Sequence, residues 1–148
     1  MEVVLFHALQ EPALWHAALA IRSEVFIREQ GVPESEEVDS YDTTDETCVH
    51  ALVRVEGAPG ATGRLYQPAP SVGKIGRMAV LAQYRGCGAG SAVLDALINE
   101  GRRRGVGSLV LDAQTHAVPF YERRGFAPEG PPFFDCGIPH QAMRRAVA

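Results

Sequence analysis

The chain has 148 residues, 46% of them hydrophobic and 22% charged, which is the composition of one soluble globular domain. Its 14 basic and 18 acidic residues leave a formal charge of −4, which argues against a nucleic-acid binder. Three widely spaced cysteines (Cys48, Cys87, Cys136) lack metal-ligand or CxxC spacing, so neither a disulfide framework nor a metal site is expected. The opening "MEVVLFHALQEP" is not patterned as a signal peptide, and no apolar run reaches the length of a membrane span. A cytoplasmic protein without membrane partners is the expectation. The basic run "GRRRG" (101–105) closes a predicted helix, where it complements the helix dipole.

In chain order, "VVLFHAL" (3–9) is a short β-rich run. From Pro12, Leu14, Ala18, Ile21 and Val25 recur at steps of four, three and four, which predicts a helix to about Glu29, ended by Gly31 and Pro33. The acidic segment 33–47 reads as a loop or short irregular helix. Runs at 49–55 and 61–66 around the turn "GAPG" predict a hairpin, and "SVGKIGRMAV" (71–80) a further strand. "QYRGCGAG" (83–90) reads as a turn and 91–104 as a helix, with Val93, Leu94, Leu97 and Ile98 on its core face. "SLVLDA" (108–113) is a strand and "THAVPFYERRGF" (115–126) a short helix ended by Gly125. "FFDC" and "HQAMRRAV" supply the final strands. The order β-α-β-β-β-α-β-α-β-β describes a single α/β domain over 1–148 with a mixed sheet.

The glycine loop stands between a strand and a helix N-terminus, where unpartnered N–H groups and the dipole favour an anion. A P-loop is excluded, because no Lys-Ser/Thr pair follows the glycines. A dinucleotide fingerprint fits poorly: counted from Gly86, the third glycine (Gly90) comes one residue early. The pattern [QR]xxGx[GA] is met by Arg85-Gly86-Cys87-Gly88-Ala89-Gly90, although a ligand-free glycine turn would look the same.

"RMAV", "RGCGAG" and "AVPFYERRGF", in this order and spacing, resemble the GNAT superfamily of N-acetyltransferases. "IRSEVFIREQGVP", "EEVDSYD", "HALV", "KIGRMAV", "DAQTHAVPFYERRGF" and "GIPHQAM" are similar to its ElaA-like branch, over about residues 20 to 145. The resemblance implies a mostly antiparallel sheet with one splayed parallel strand pair and flanking helices. It also implies acetyl-CoA as co-substrate, with no metal. The pantetheine arm would lie along Met78, Ala79 and Val80, and the pyrophosphate on the N–H groups of Arg85, Gly86, Cys87, Gly88, Ala89 and Gly90. Gln114 stands where many relatives have an asparagine for the pantetheine amide, with Phe120 also on the coenzyme side. Tyr121 matches the tyrosine that protonates the departing thiolate.

Many members carry a glutamate base directly before the residue equivalent to Arg77; this chain has Gly76. An alkylammonium at pH 7 must still lose a proton at a cost of about 4–5 kcal/mol. The candidates for that role are Asp39, Asp42, His50, His116 and His140, or a water chain with no single base. Arg22, Phe26 and Gln30, spaced i, i+4, i+8, would line the acceptor side together with Asp39 and Asp42. Cys87 is expected at the pyrophosphate and not at the thioester, so a covalent route through it is not expected. The expected reaction is direct attack by a small-molecule or peptide amine in a ternary complex. The rivals are an acyl-CoA-binding module without turnover and a dinucleotide reductase. Pairing of two chains through their last strands is a further expectation of the resemblance.

Overall fold

A computed structural model describes residues 1–147. Its strands are β1 (Glu2–Phe6), β2 (Val49–Val55), β3 (Ala58–Ala69), β4 (Val72–Val80), β5 (Ser108–Gln114), β6 (Ala127–Pro128), β7 (Phe133–Asp135) and β8 (Ile138–Ala146). They form one sheet in the order β1-β2-β3-β4-β5-β8-β6, with β7 paired to β8. β4 and β5 run parallel, and the other pairs are antiparallel. Every predicted strand is present; the two-residue β6 is too short to carry a periodic signal.

The two sheet faces are covered by different helices. α1 (Pro12–Arg22) packs Trp15, Ala18 and Ile21 against Phe6, Leu52 and Ala79. α4 (Ala89–Arg104) packs Val93, Leu94, Leu97 and Ile98 against Ala51, Leu65, Ile75 and Leu109 on the other face. Each of those four α4 side chains is at most 4% exposed, and burial of that kind is worth about 1.5–3 kcal/mol per side chain. The short α5 (Val118–Glu122) brings Tyr121 and Phe126 to the same core.

The parallel ladder is short. It pairs Val72 through Ile75 with Ser108 through Leu111 and then stops, so 76–80 of β4 have no partner on that side. On the other side, register passes from Thr62↔Ala79 to Arg64↔Gly76, so Gly63 opposes both Arg77 and Met78. That bulge turns Arg77 to a φ of +52°, a left-handed conformation unusual for a side-chain-bearing residue. Gly63 is required there: a Cβ would stand 2.6 Å from Met78 Sδ and 2.7 Å from Val93 Cγ1. The bulge re-aims β4, and the strand pair splays.

Two sequence expectations change form. The predicted long helix ends as α-helix at Arg22 and continues as a π-helical stretch, Ser23–Glu29. Its i→i+5 bonds take up one more residue per turn, so the apolar stripe read at α-helical spacing loses its phase. The acidic segment folds into two single-turn helices, α2 (Glu34–Glu37) and α3 (Ser40–Thr43), joined through a capping box between Asp39 and Asp42.

That segment is held by a buried ion cluster. Arg22 donates from Nε to Glu37 Oε1 (2.6 Å), from Nη1 to Asp42 Oδ1 (2.9 Å) and from Nη2 to Asp42 Oδ2 (3.0 Å). Arg64 on β3 donates to the same Asp42 Oδ1 (2.7 Å) and forks onto Asp39 (2.7 and 2.8 Å). Arg22, Glu37, Asp42 and Arg64 are all at most 4% exposed. Burial alone would raise the Asp42 carboxyl, but the hydrogen bonds and charge of Arg22, and the charge of Arg64, hold it well below the usual carboxylate range. Asp39 is lowered in the same way, burial being outweighed chiefly by Arg64.

Asp42→Ala leaves two buried guanidinium groups short of a counter-charge and should cost about 3–5 kcal/mol in urea unfolding at pH 7. The sign with pH follows from the lowered carboxyls. Their contribution is complete above the unfolded value near 4 and drains away as the pH falls below it. The parent should therefore lose stability below about pH 4 more steeply than Asp42→Ala, in urea titrations at stepped pH.

Candidate active site

Where β4 and β5 part, a cleft of about 610 Å³ opens on the α1 face, and a second cavity of about 420 Å³ lies beside the glycine loop. Both are lined by Met78, Val80, Arg85 and Tyr121, so they meet at the splayed strand ends. Ala79 also lines the larger one. The unpaired edge of β4 offers backbone donors and acceptors to an extended ligand in place of a strand.

The smaller cavity is bounded by Gly86, Gly88, Gly90 and Ser91. Gly86 (φ +82°) and Gly88 (φ +90°) adopt left-handed conformations that turn the loop into α4. The first bond inside α4 runs from Ala92 N to Gly88 O, which leaves the amides of Ala89, Gly90 and Ser91 without helical acceptors. Ala89 is buried in the core, so only its backbone can serve a ligand. Cys87 lines neither cavity; its thiol donates to Tyr84 O at 2.8 Å. Arg85 is already engaged, with Nε on Val80 O (3.0 Å) and Nη2 on both Glu29 oxygens (2.8 and 3.0 Å).

Tyr121 is 7% exposed, held edge-on between Phe120 (5.0 Å) and Phe126 (6.1 Å). Phe120 lines the smaller cavity. The Tyr121 hydroxyl has no partner among the described residues. It is nevertheless open to the cavities, because the one occluded side-chain polar atom lacking a partner among the described residues is Arg64 Nε. Burial pushes its phenol up to about 12. It stays protonated, and so able to donate, through the whole physiological range.

Of the remaining residues expected at the site, Phe26, Gln30, Asp39, Gln114, His116 and His140 line the large cleft. Gln30 and Gln114 exchange amide hydrogen bonds (2.9 and 3.4 Å) across it. Three other expected residues stand elsewhere. Arg22 does not share the cleft-facing side of Phe26 and Gln30, because the π-helical stretch after it changes the phase; it is spent on Glu37 and Asp42. Asp42 is enclosed between two guanidinium groups and cannot accept a substrate proton. His50 is 1% exposed, packed against Phe6 and Trp15, and burial lowers it to about 4, so it is a neutral core histidine that does not line the cleft.

Several cleft residues carried no reading in the sequence. Arg64 and Glu37 close the ion cluster, and Glu29 holds Arg85. Lys74 and Asp112 pair at 3.2 Å on the cleft wall, and the Cys136 thiol donates to Glu36 at 2.9 Å on its rim. A signal existed for Arg64: an arginine inside a strand that is otherwise apolar requires a carboxylate partner. Gly76 borders the cleft, and a Cβ placed on it would have one neighbour within 4 Å, Arg64 Nε at 4.0 Å. The only occluded, unpartnered side-chain donor among the described residues thus faces the position that lacks a side chain.

The Acetyltransferase (GNAT) domain family matches residues 24–147. The uncharacterized N-acetyltransferase YjcF of Bacillus subtilis is 36% identical over 129 residues, 86% of this chain and 89% of its own. Among solved structures, an acyl-CoA N-acyltransferase from Pseudomonas aeruginosa superposes with a TM-score of 0.87 at 29% identity, covering 98% of this chain and 99% of that one. Escherichia coli ElaA superposes with a TM-score of 0.86 at 26% identity, covering 97% and 98%.

Gly76→Glu should fold and place a carboxylate within reach of Arg64 Nε. A charge-assisted hydrogen bond of about 1.5 kcal/mol corresponds to a melting temperature about 3–5 °C above that of Gly76→Ala. Equal or lower melting of the Glu variant in calorimetry would show that the donor does not face that position.

Proposed function

The chain belongs to the GNAT acetyltransferases, and we propose that it transfers the acetyl group of acetyl-CoA to a primary amine of a small molecule or peptide by direct attack, both substrates being bound together. The observation that carries this reading is the meeting of the two cavities at Tyr121, beside an unpaired strand edge and a glycine-walled helix N-terminus. The residues fit the coenzyme. Amides of the Gly86–Ser91 loop suit a diphosphate, the edge of Met78–Val80 suits the amides of a pantetheine arm, and Gln114 offers one further amide. When bound, acetyl-CoA supplies an acetyl carbonyl activated as a thioester.

The chain's own groups then divide the task. The cleft walls hold the amine on the α1 side of the splay, so attack is directed across the strand opening. Tyr121 gives its proton to the departing sulfur. A phenol near 12 facing a thiol near 8.5 would make that transfer uphill by about 5 kcal/mol. The dryness that raises the phenol raises a thiolate beside it as well, which brings the two back toward balance. Asp39, already shared by Arg64 and Arg77, offers the amine a fixed hydrogen-bond acceptor on the cleft wall more than a net negative charge.

One observation favours a second reading, an acyl-CoA-binding module without turnover: Gly76 has no carboxylate to take the amine proton. Ligand stabilisation and turnover separate these readings. Acetyl-CoA at about one hundred times its Kd should add about 2.7 kcal/mol, raising the melting temperature by roughly 5–10 °C, while NADPH leaves it unchanged. No shift with acetyl-CoA would sink the coenzyme assignment, and a shift without turnover of any amine would favour the binding module. Tyr121→Phe should keep the acetyl-CoA shift and lose about 10²-fold in kcat; unchanged turnover would remove Tyr121 from the chemistry.

A further inference from the structure

We propose that His140 is the general base of this site, taking the amine proton through Nε2; the assignment rests on the acetyl-transfer reading above. The usual position for a base is vacant at Gly76, and the geometry removes most of the alternatives. Asp42 and His50 are outside the cleft, and Asp39 is bound by Arg64 and Arg77. His116 lies in the single-turn 3-10 stretch Thr115–Ala117, is exposed, and has no hydrogen bond orienting its ring among the described residues.

His140 is different on three counts. Its Nδ1 lies 2.8 Å from Ile138 O. A carbonyl oxygen has no proton to give, so Nδ1 is the protonated nitrogen and Nε2 carries the lone pair. Nε2 has no partner among the described residues, and it is not occluded, since Arg64 Nε alone has that status. The ring is fixed by stacking on Phe133 at 5.7 Å and 23°. Its place in the sheet is also suitable. On β8 it stands directly opposite Gln114, at the end of β5 where the strands have parted, and both line the cleft that Tyr121 closes. His140 and Tyr121 thus reach the same cleft from different elements, β8 and α5.

The neutral amine nitrogen forms a bond to the acetyl carbonyl carbon as the carbon–sulfur bond breaks. Nε2 of His140 takes one proton from that nitrogen, and Tyr121 gives one to sulfur. Imidazolium and phenolate recover through solvent, so amine plus thioester yields amide plus thiol. The ionisable groups that the packed elements present around His140 are Asp112 of β5, Asp135 of β7, Cys136 and Glu36 at the rim, and His116. Cys136 is pushed up to about 11, by its hydrogen bond to Glu36 and then by burial, and so remains a neutral thiol.

The test uses the parent chain, His140→Gln and His140→Ala, with acetyl-CoA and a panel of primary amines (glycinamide, ethanolamine, putrescine, tyramine), reading thiol release. With the fastest acceptor, His140→Gln should lose 10²–10⁴-fold in kcat and lack the acidic limb of the parent's kcat/KM profile, while keeping the acetyl-CoA melting shift. Added imidazole should restore part of the rate to His140→Ala. Rates within threefold of the parent, or a persisting acidic limb, overturn the assignment and leave acetyl transfer standing. A parent that shifts with acetyl-CoA but acetylates none of the panel overturns transfer and the base together. Long-range proton–nitrogen NMR on the parent needs no variant: an Nε2–H tautomer at His140 overturns the assignment however the variants fold.

Discussion

The parallel ladder between β4 and β5 ends after Ile75 and Leu111, and most of the candidate site follows from that break. A sheet interior cannot leave backbone amides and carbonyls facing nothing without cost, so a ladder that stops early creates a demand for hydrogen bonds from another source. The break is enforced by packing and not by a weak sequence. Gly63 lets β3 pass beneath Met78 and Val93, the extra residue of the bulge turns Arg77 through a left-handed conformation, and the continuing strand is aimed away from its neighbour. Side chains of both layers then hold this arrangement from above and below.

The wall opposite the break depends on charge. Segment 34–43 buries little apolar surface and keeps its place through Glu37, bound by Arg22 of α1, and Asp42, bound by Arg22 and by Arg64 of β3. Arg77 extends the cluster, with Nε on Glu37 O (3.0 Å), so the residue at the bulge and the acidic segment are directly tied. An apolar packing of the same volume could be as stable. What the ionic version adds is geometric specificity, since forked arginine–carboxylate bonds fix direction as well as distance.

The sequence carried the architecture well, because alternation in β2–β5 and the Val93-Leu94-Leu97-Ile98 stripe state buried faces directly. Glycines at 86, 88 and 90 likewise marked the turn into α4, and motif order pointed to the family. The acceptor side was less legible. Arg22 was expected beside Phe26 and Gln30, but a π-helical stretch is a tertiary response and leaves no periodic trace that α-helical spacing can detect. In the acidic run the sequence singled out Asp39 and Asp42 together, whereas burial divides them: Asp42 is interior with Glu37, Asp39 borders the cleft, and Glu34 is exposed. What distinguishes those four carboxylates is the position of arginines as far as 40 residues away (Glu37 to Arg77), which a linear sequence does not display. His140 was one of three equivalent histidines in the sequence; the carbonyl of Ile138 and the ring of Phe133 make it individual.

Arg85 bears on how charge is exchanged at the loop. Its guanidinium is neutralised by Glu29 and also covers Val80 O, on the same strand edge that the splay leaves open. An anion arriving there does not meet a bare cation surrounded by mobile counterions; it must take over an arginine that already has a fixed partner. Engaging Arg85 would therefore exchange one carboxylate for another anion, with few small ions set free, and affinity through this guanidinium would vary weakly with ionic strength. Movement of the same guanidinium would uncover the Val80 carbonyl, linking the seating of a ligand's charged end to the availability of the strand edge for the rest of its length.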